Sequence, residues 1–311
     1  MANVTILWNL AQKGFNSEHY ELEKVIAAGM GGDMQWSEHV VNLTTIPNNP
    51  FTDNRFVVME FIPGGTLSDF KKECKEDIPV RVLWHIFLCL VRACTAMAYP
   101  PTGETDAAGV AIPVIEDVHI SWEPDHFAHR DLHPGNILLG DFDTTNKEHK
   151  LVPILRLVDF ERGQHLTALE DYDSEDVEDW DEELELNTKR DAGKRNPGID
   201  HNILSIGRVM ANLIGPLPPR FLSAEDCRER FEDDNIHSCA DLRDLVKRCL
   251  AVDPMNRPRL EALLPLLRSY VLDIKTEQYY QGLPNGDRES DANVKEFMEN
   301  YLAGSRQKQG V

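Results

Sequence analysis

Residues 128–140 read AHRDLHPGNILLG, and residues 154–161 read ILRLVDFE. Each stretch sets polar groups at the edge of a short apolar run: Asp131 and Asn136 before the first, Asp159 within the end of the second. Transfer of a phosphoryl group asks for such oxygen donors. A carboxylate must orient the attacking hydroxyl, oxygen ligands must hold magnesium, and cations must offset the phosphate charge. Asp131 suits the base, Asn136 one magnesium ligand and Asp159 the main magnesium ligand. A lone aspartate is more often a turn or cap, but three such groups at these offsets point to a site.

The apolar runs NILLG and ILRLVDF are strand candidates, separated by the polar DFDTTNKEHK. Paired antiparallel, the start of the first strand would lie beside the end of the second and bring Asn136 close to Asp159. Upstream, residues 15–29 read as an amphipathic helix, and HVVNLTTI (39–46) and RFVVMEFI (55–62) as strands joined by a turn-rich stretch. From Pro79, apolar residues recur at helical spacing (Val82, Leu83, Ile86, Leu90, Cys94, Met97), which predicts a buried helix. A loop-like insertion follows over 100–125. Helical patterns return after Ile199, in HNILSIGRVMANLI, DLRDLVKRCL and RLEALLPLLRSYVL. The polar residues 276–311 read as a partly ordered tail.

The 311 residues carry a net charge of −21, which argues against nucleic-acid or anionic-membrane partners. No apolar run approaches the roughly 20 residues needed to span a bilayer, and the start MANVTILWNLAQKG has no secretory pattern. The six cysteines are scattered without a CxxC pair, as expected of reduced structural thiols in a cytoplasmic or nuclear protein. A zinc site at His237 and Cys239 lacks a second ligand pair. Residues 170–185 hold eleven acids among sixteen positions, which reads as a solvated loop, with a mimic of phosphorylation engaging Arg130 as the functional alternative.

HRDLHPGNILL resembles the catalytic loop H-R-D-L-x-x-x-N of eukaryotic-type protein kinases, with VDFE where D-F-G is expected. FVVMEFIPGGTL is similar to the last N-lobe strand, hinge and start of the C-lobe. NILSIGRVM resembles the central C-lobe helix, and RCLAVDPMNRP the late D-P-x-x-R-P signature. The ordered matches span about residues 15–272, and the wording is similar to divergent fungal kinase-like proteins. The resemblance implies an α+β, two-lobe kinase-like fold. An abbreviated β-rich N-lobe would cover 1–62 and a mainly helical C-lobe 63–275, with insertions at 100–125 and 141–151 and an acidic activation-segment region at 160–198.

By the same resemblance Asp131 is the catalytic base, Arg130 steadies the activation segment, and Asn136 and Asp159 bind Mg2+. Met59 is the gatekeeper, the backbone of Glu60 and Ile62 binds the adenine of ATP, and Leu138 lies beneath it. His129 and Phe160 stack in an apolar spine. Several positions depart from the family pattern. No G-x-G-x-x-G is present, Lys13 stands too close to the first helix to be the usual β3 lysine, and Glu161 replaces the D-F-G glycine. His133 occupies the place of a catalytic-loop lysine, Asn202 replaces the central helix's aspartate, and Arg257 lacks the A-P-E glutamate as a partner. Three readings follow: a protein serine/threonine kinase-like enzyme acting on a protein substrate, a pseudokinase that binds protein partners without turnover, or a small-molecule kinase. The last is suggested by His133-Pro134-Gly135, which matches the H-P-G of aminoglycoside and choline phosphotransferases.

Overall fold

The computed structural model describes residues 36–41, 43–44, 58–74, 77–104, 112–166, 195–215, 240–251 and 254–309. The expected helix at 15–29, the acidic stretch 170–185, Lys13, His237 and Cys239 lie outside them. The described residues form a mixed α+β structure. Its short strands pair antiparallel: β1 (Leu43–Thr44) with β2 (Val58–Met59), β3 (Phe127–Ala128) with β6 (Gln164–His165), and β4 (Ile137–Leu139) with β5 (Leu155–Leu157).

Helix α1 (Leu67–Glu73) starts where Thr66 accepts a hydrogen bond from the Asp69 amide at 3.0 Å. Just before it, the chain presses against β4. A Cβ on Gly64 would fall 2.0 Å from the Leu139 carbonyl oxygen, and Gly65 has a positive φ of 75°. The Gly65 carbonyl then accepts the Leu139 amide at 3.0 Å.

Helix α2 (Val80–Ala98) is the centre of the core, and Trp84, Ile86, Phe87, Leu90 and Met97 are almost fully buried. Burying each such side chain stabilises the fold by roughly 1.5–3 kcal/mol. By length and mean hydropathy (19 residues, 1.6) α2 would pass as a membrane span, contrary to the expectation that no run qualifies, yet 94% of it is buried inside the protein. It packs against α3 (Pro197–Ile214) and α5 (Leu260–Ser269), and α4 (Ala240–Cys249) packs on α3. Asn196 caps α3 by accepting the Ile199 amide at 3.0 Å, with Pro197 in the first turn. Cys89, Cys94 and Cys249 are buried and form no disulfide.

Three segments differ from the sequence expectation. Residues 276–309, expected as a partly ordered polar tail, contain α6 (Glu277–Tyr280) and α7 (Asp291–Gln309), and Val294, Met298 and Leu302 are buried. Phe297 and Tyr301 meet Phe70 of α1 edge-on, with ring centroids 6.0 and 4.9 Å away. Glu289 also caps α2 from a distance, accepting the Val80 and Arg81 amides at 2.8 and 2.9 Å. The described connections at 112–125 and 141–151 are likewise not simply surface loops. They bury Glu116, Glu148 and His149, and Glu148 accepts from Arg92 (2.7 and 3.1 Å) and Arg268 (3.1 Å).

Candidate functional site

The cluster at 129–136 lies between β3 and β4, on a loop that tightens into a 3-10 turn at Pro134–Asn136. The β4–β5 pair is antiparallel as expected, with Ile137 opposite Leu157, and the Val158 amide donates to the Asn136 carbonyl at 3.0 Å. This register sets Asn136 beside the chain that leads directly to Asp159. Asp159 is exposed, and both it (φ 65°) and Arg130 (φ 60°) adopt left-handed backbone that costs a non-glycine residue on the order of 1 kcal/mol. Strain of that kind persists only where surrounding contacts impose it.

His129 is one source of those contacts. Its ring is completely buried; Nε2 donates to the Val158 carbonyl at 3.0 Å and Nδ1 accepts the Asp131 amide at 3.2 Å. One partner can only accept and the other can only donate, so the ring is neutral with its proton on Nε2. Burial pushes its pKa down to about 4, against the pull of the Val158 carbonyl, which fits that tautomer. A single side chain thereby ties the backbone of Asp131 to the end of β5. Phe160 packs on this ring at a centroid distance of 4.7 Å, the contact expected between His129 and Phe160.

Asn202 of α3 holds the other side of the loop. Its Oδ1 accepts the His129 amide at 3.0 Å and its Nδ2 donates to the Phe127 carbonyl at 2.9 Å. The expectation that an asparagine here still accepts from the loop backbone is met. Its amide group also donates, which an aspartate could not do.

Within the loop, the Asn136 Nδ2 donates to the Asp131 carbonyl at 2.9 Å and approaches Asp131 Oδ2 at 3.3 Å. His133 has two tasks: Nδ1 accepts the Gly135 amide at 3.0 Å, and Nε2 lies 3.8 Å from Asp131 Oδ2. Arg130 reaches Gln164 Oε1 on β6, just beyond Asp159. Arg257, which sequence reasoning left unpartnered, donates to the carbonyls of Ala251 (2.8 Å) and Asp200 (3.1 Å).

The residues expected around a nucleotide sit on β2, in the segment just after it, and on β4. Ile62 is buried and Met59 is half-buried on β2, in register with Leu43. Leu138 on β4 forms a bridge to Thr66 and stands opposite Arg156 of β5. Arg156 forms an ion pair with Glu60, a contact that sequence reasoning did not foresee, although a lone arginine inside the apolar ILRLVDF was its visible signal. The chain matches no protein-family model and no curated protein.

Proposed function

We propose that this chain is a protein kinase-like phosphotransferase of two lobes, 1–62 and 63–275, moving the γ-phosphoryl group of ATP to a protein serine or threonine hydroxyl. One observation carries the reading: His129 and Asn202 jointly clamp the loop that presents Asp131 and Asn136, in register with the strand end that presents Asp159. In this reaction the Asp131 carboxylate accepts the hydroxyl proton as the substrate oxygen bonds to the γ-phosphorus and the bond to the ADP oxygen breaks. A carboxylate and an amide oxygen suit a hard cation, so Asp159 and Asn136 are the residues that would hold Mg2+. The ion supplies charge neutralisation on the phosphates. His133, close to Asp131 and fixed by Gly135, keeps the base oriented.

A second reading, a pseudokinase that binds without turnover, is favoured by the Arg156–Glu60 ion pair. Arg156 is in register with Leu138, and its guanidinium engages a residue assigned to the adenine side of the site. Magnesium-ATP titration by thermal shift separates the two. A ligand at about 100 times its Kd stabilises by roughly 2.7 kcal/mol, a shift of several degrees. Radiolabel transfer to basic protein substrates should follow and be abolished by D131N. Absence of any shift refutes the enzyme reading; unchanged labelling by D131N refutes the assigned base.

A further inference from the structure

On the edge of β5 away from β4, residues 36–41 run alongside the strand: Val40 bridges Leu157, and the Val41 amide donates to the Leu157 carbonyl at 3.0 Å. There His39 meets Cys89 of α2 and His149 of the 141–151 connection. All three residues are buried, and one donor atom from each lies within 4.8 Å of the others. Among the described residues this is the one group with metal-ligating chemistry on that spacing.

The hydrogen-bonding pattern shows what the cluster is built to hold. His39 Nδ1 faces Glu116 Oε2 at 2.7 Å, while the other oxygen of Glu116 accepts the His39 amide at 2.8 Å and the Ser37 hydroxyl. The carboxylate therefore fixes the His39 proton on Nδ1 and turns Nε2 toward Cys89 and His149. Metal-bound histidines are oriented by a carboxylate in this way. His39 Nε2 and both ring nitrogens of His149 have no hydrogen-bond partner, although both residues are about 1% exposed or less. A buried polar group left so is destabilising. A metal ion would use these lone pairs.

We propose that His39, Cys89 and His149 form a structural zinc site, with Glu116 as the carboxylate that orients His39. With two neutral imidazoles, Zn2+ balances the Cys89 thiolate and the Glu116 carboxylate, and Glu38 bound as a carboxylate brings the buried site to a net charge of −1. Cys89 loses its thiol proton to solvent as the Zn–S bond forms. Donors at about 2.0–2.3 Å from a tetrahedral ion stand roughly 3.3–3.8 Å apart, so the side chains close by about an ångström. Glu38 Oε2, 4.0 Å from His149 Nε2, is the oxygen placed to complete four-coordination. The ion would clip residues 36–41 to α2 and to the connection between β4 and β5, bracing the strand that ends at Asp159.

The test uses the full-length chain expressed with zinc. Elemental analysis should find about one zinc per chain, and X-ray absorption should show a first shell of light N/O donors and one sulfur. Cobalt substitution should give a thiolate-to-cobalt charge-transfer band, lost in C89S and kept in C94S, whose buried thiol lies on the same helix. H39Q and H149Q should lower zinc content severalfold. Natively folded wild-type protein with no zinc and no cobalt band overturns the proposal. So does metal that survives C89S but disappears in C239S.

Discussion

Asn202 is 1% exposed and joins α3 to the loop carrying Asp131, through an amide orientation its partners leave no freedom to reverse. Replacing it with leucine, which has the same number of side-chain heavy atoms, strips the His129 N–H and the Phe127 carbonyl of their partners. Each unpaired buried group costs about 1–3 kcal/mol, and leucine's apolar burial offsets on the order of 1 kcal/mol. The expected loss for N202L is roughly 2–4 kcal/mol. N202D is the sharper probe, because aspartate keeps the acceptor for His129 but turns a carboxylate oxygen toward the Phe127 carbonyl. Protonated, that carboxyl can donate to Phe127. Its folded pKa is therefore raised, and N202D loses stability relative to wild type as pH rises above about 4. Urea unfolding followed by tryptophan fluorescence gives the energies, and hydrogen exchange over residues 127–131 locates the effect. A loss for N202L below about 0.5 kcal/mol, with unchanged exchange in that segment, would refute the clamp.

Burial holds His85 neutral despite the opposing Glu148 carbonyl at 2.8 Å, and its pKa is pushed down to about 4. The unfolded chain binds the extra proton between pH ~6.5 and ~4, so stability falls across that window by up to about 3 kcal/mol. Urea titrations across those pH values should show the fall, and H85Q should make it shallower by one histidine's share, His129 supplying another; an identical slope in H85Q counts against the assignment. Removing residues 276–311 takes away the Glu289 cap of α2 and uncovers Phe70. Loss of a cap alone costs about 1 kcal/mol, and with the lost apolar contacts the truncated chain should melt several degrees lower or fail to stay soluble. A truncation with unaltered melting would mean that α7 contributes nothing to the core.

Helical periodicity marked α2, α3, α4 and α5 in the sequence because each buries a continuous apolar stripe, a purely local property. The same rule was present in α7, where Val294, Met298 and Leu302 repeat every four residues. There the polar average of the segment (276–311) masked the stripe. The antiparallel pairing of NILLG with ILRLVDF was legible because both runs are short and joined by one polar connection.

The sequence by itself therefore determined the types of the central helices, the pairing of β4 with β5 and the grouping of Asp131, Asn136 and Asp159, since these rest on residues near one another in the chain. Only the tertiary structure decided which distant groups serve them. His129 and Asn202, Glu60 and Arg156, and Glu289 and the α2 amides become partners through packing of elements far apart in sequence. The meeting of His39, Cys89, Glu116 and His149 has the same origin. Each looks like an ordinary polar or thiol residue in its own segment. Their roles arise when burial removes water and leaves each buried polar group dependent on a partner.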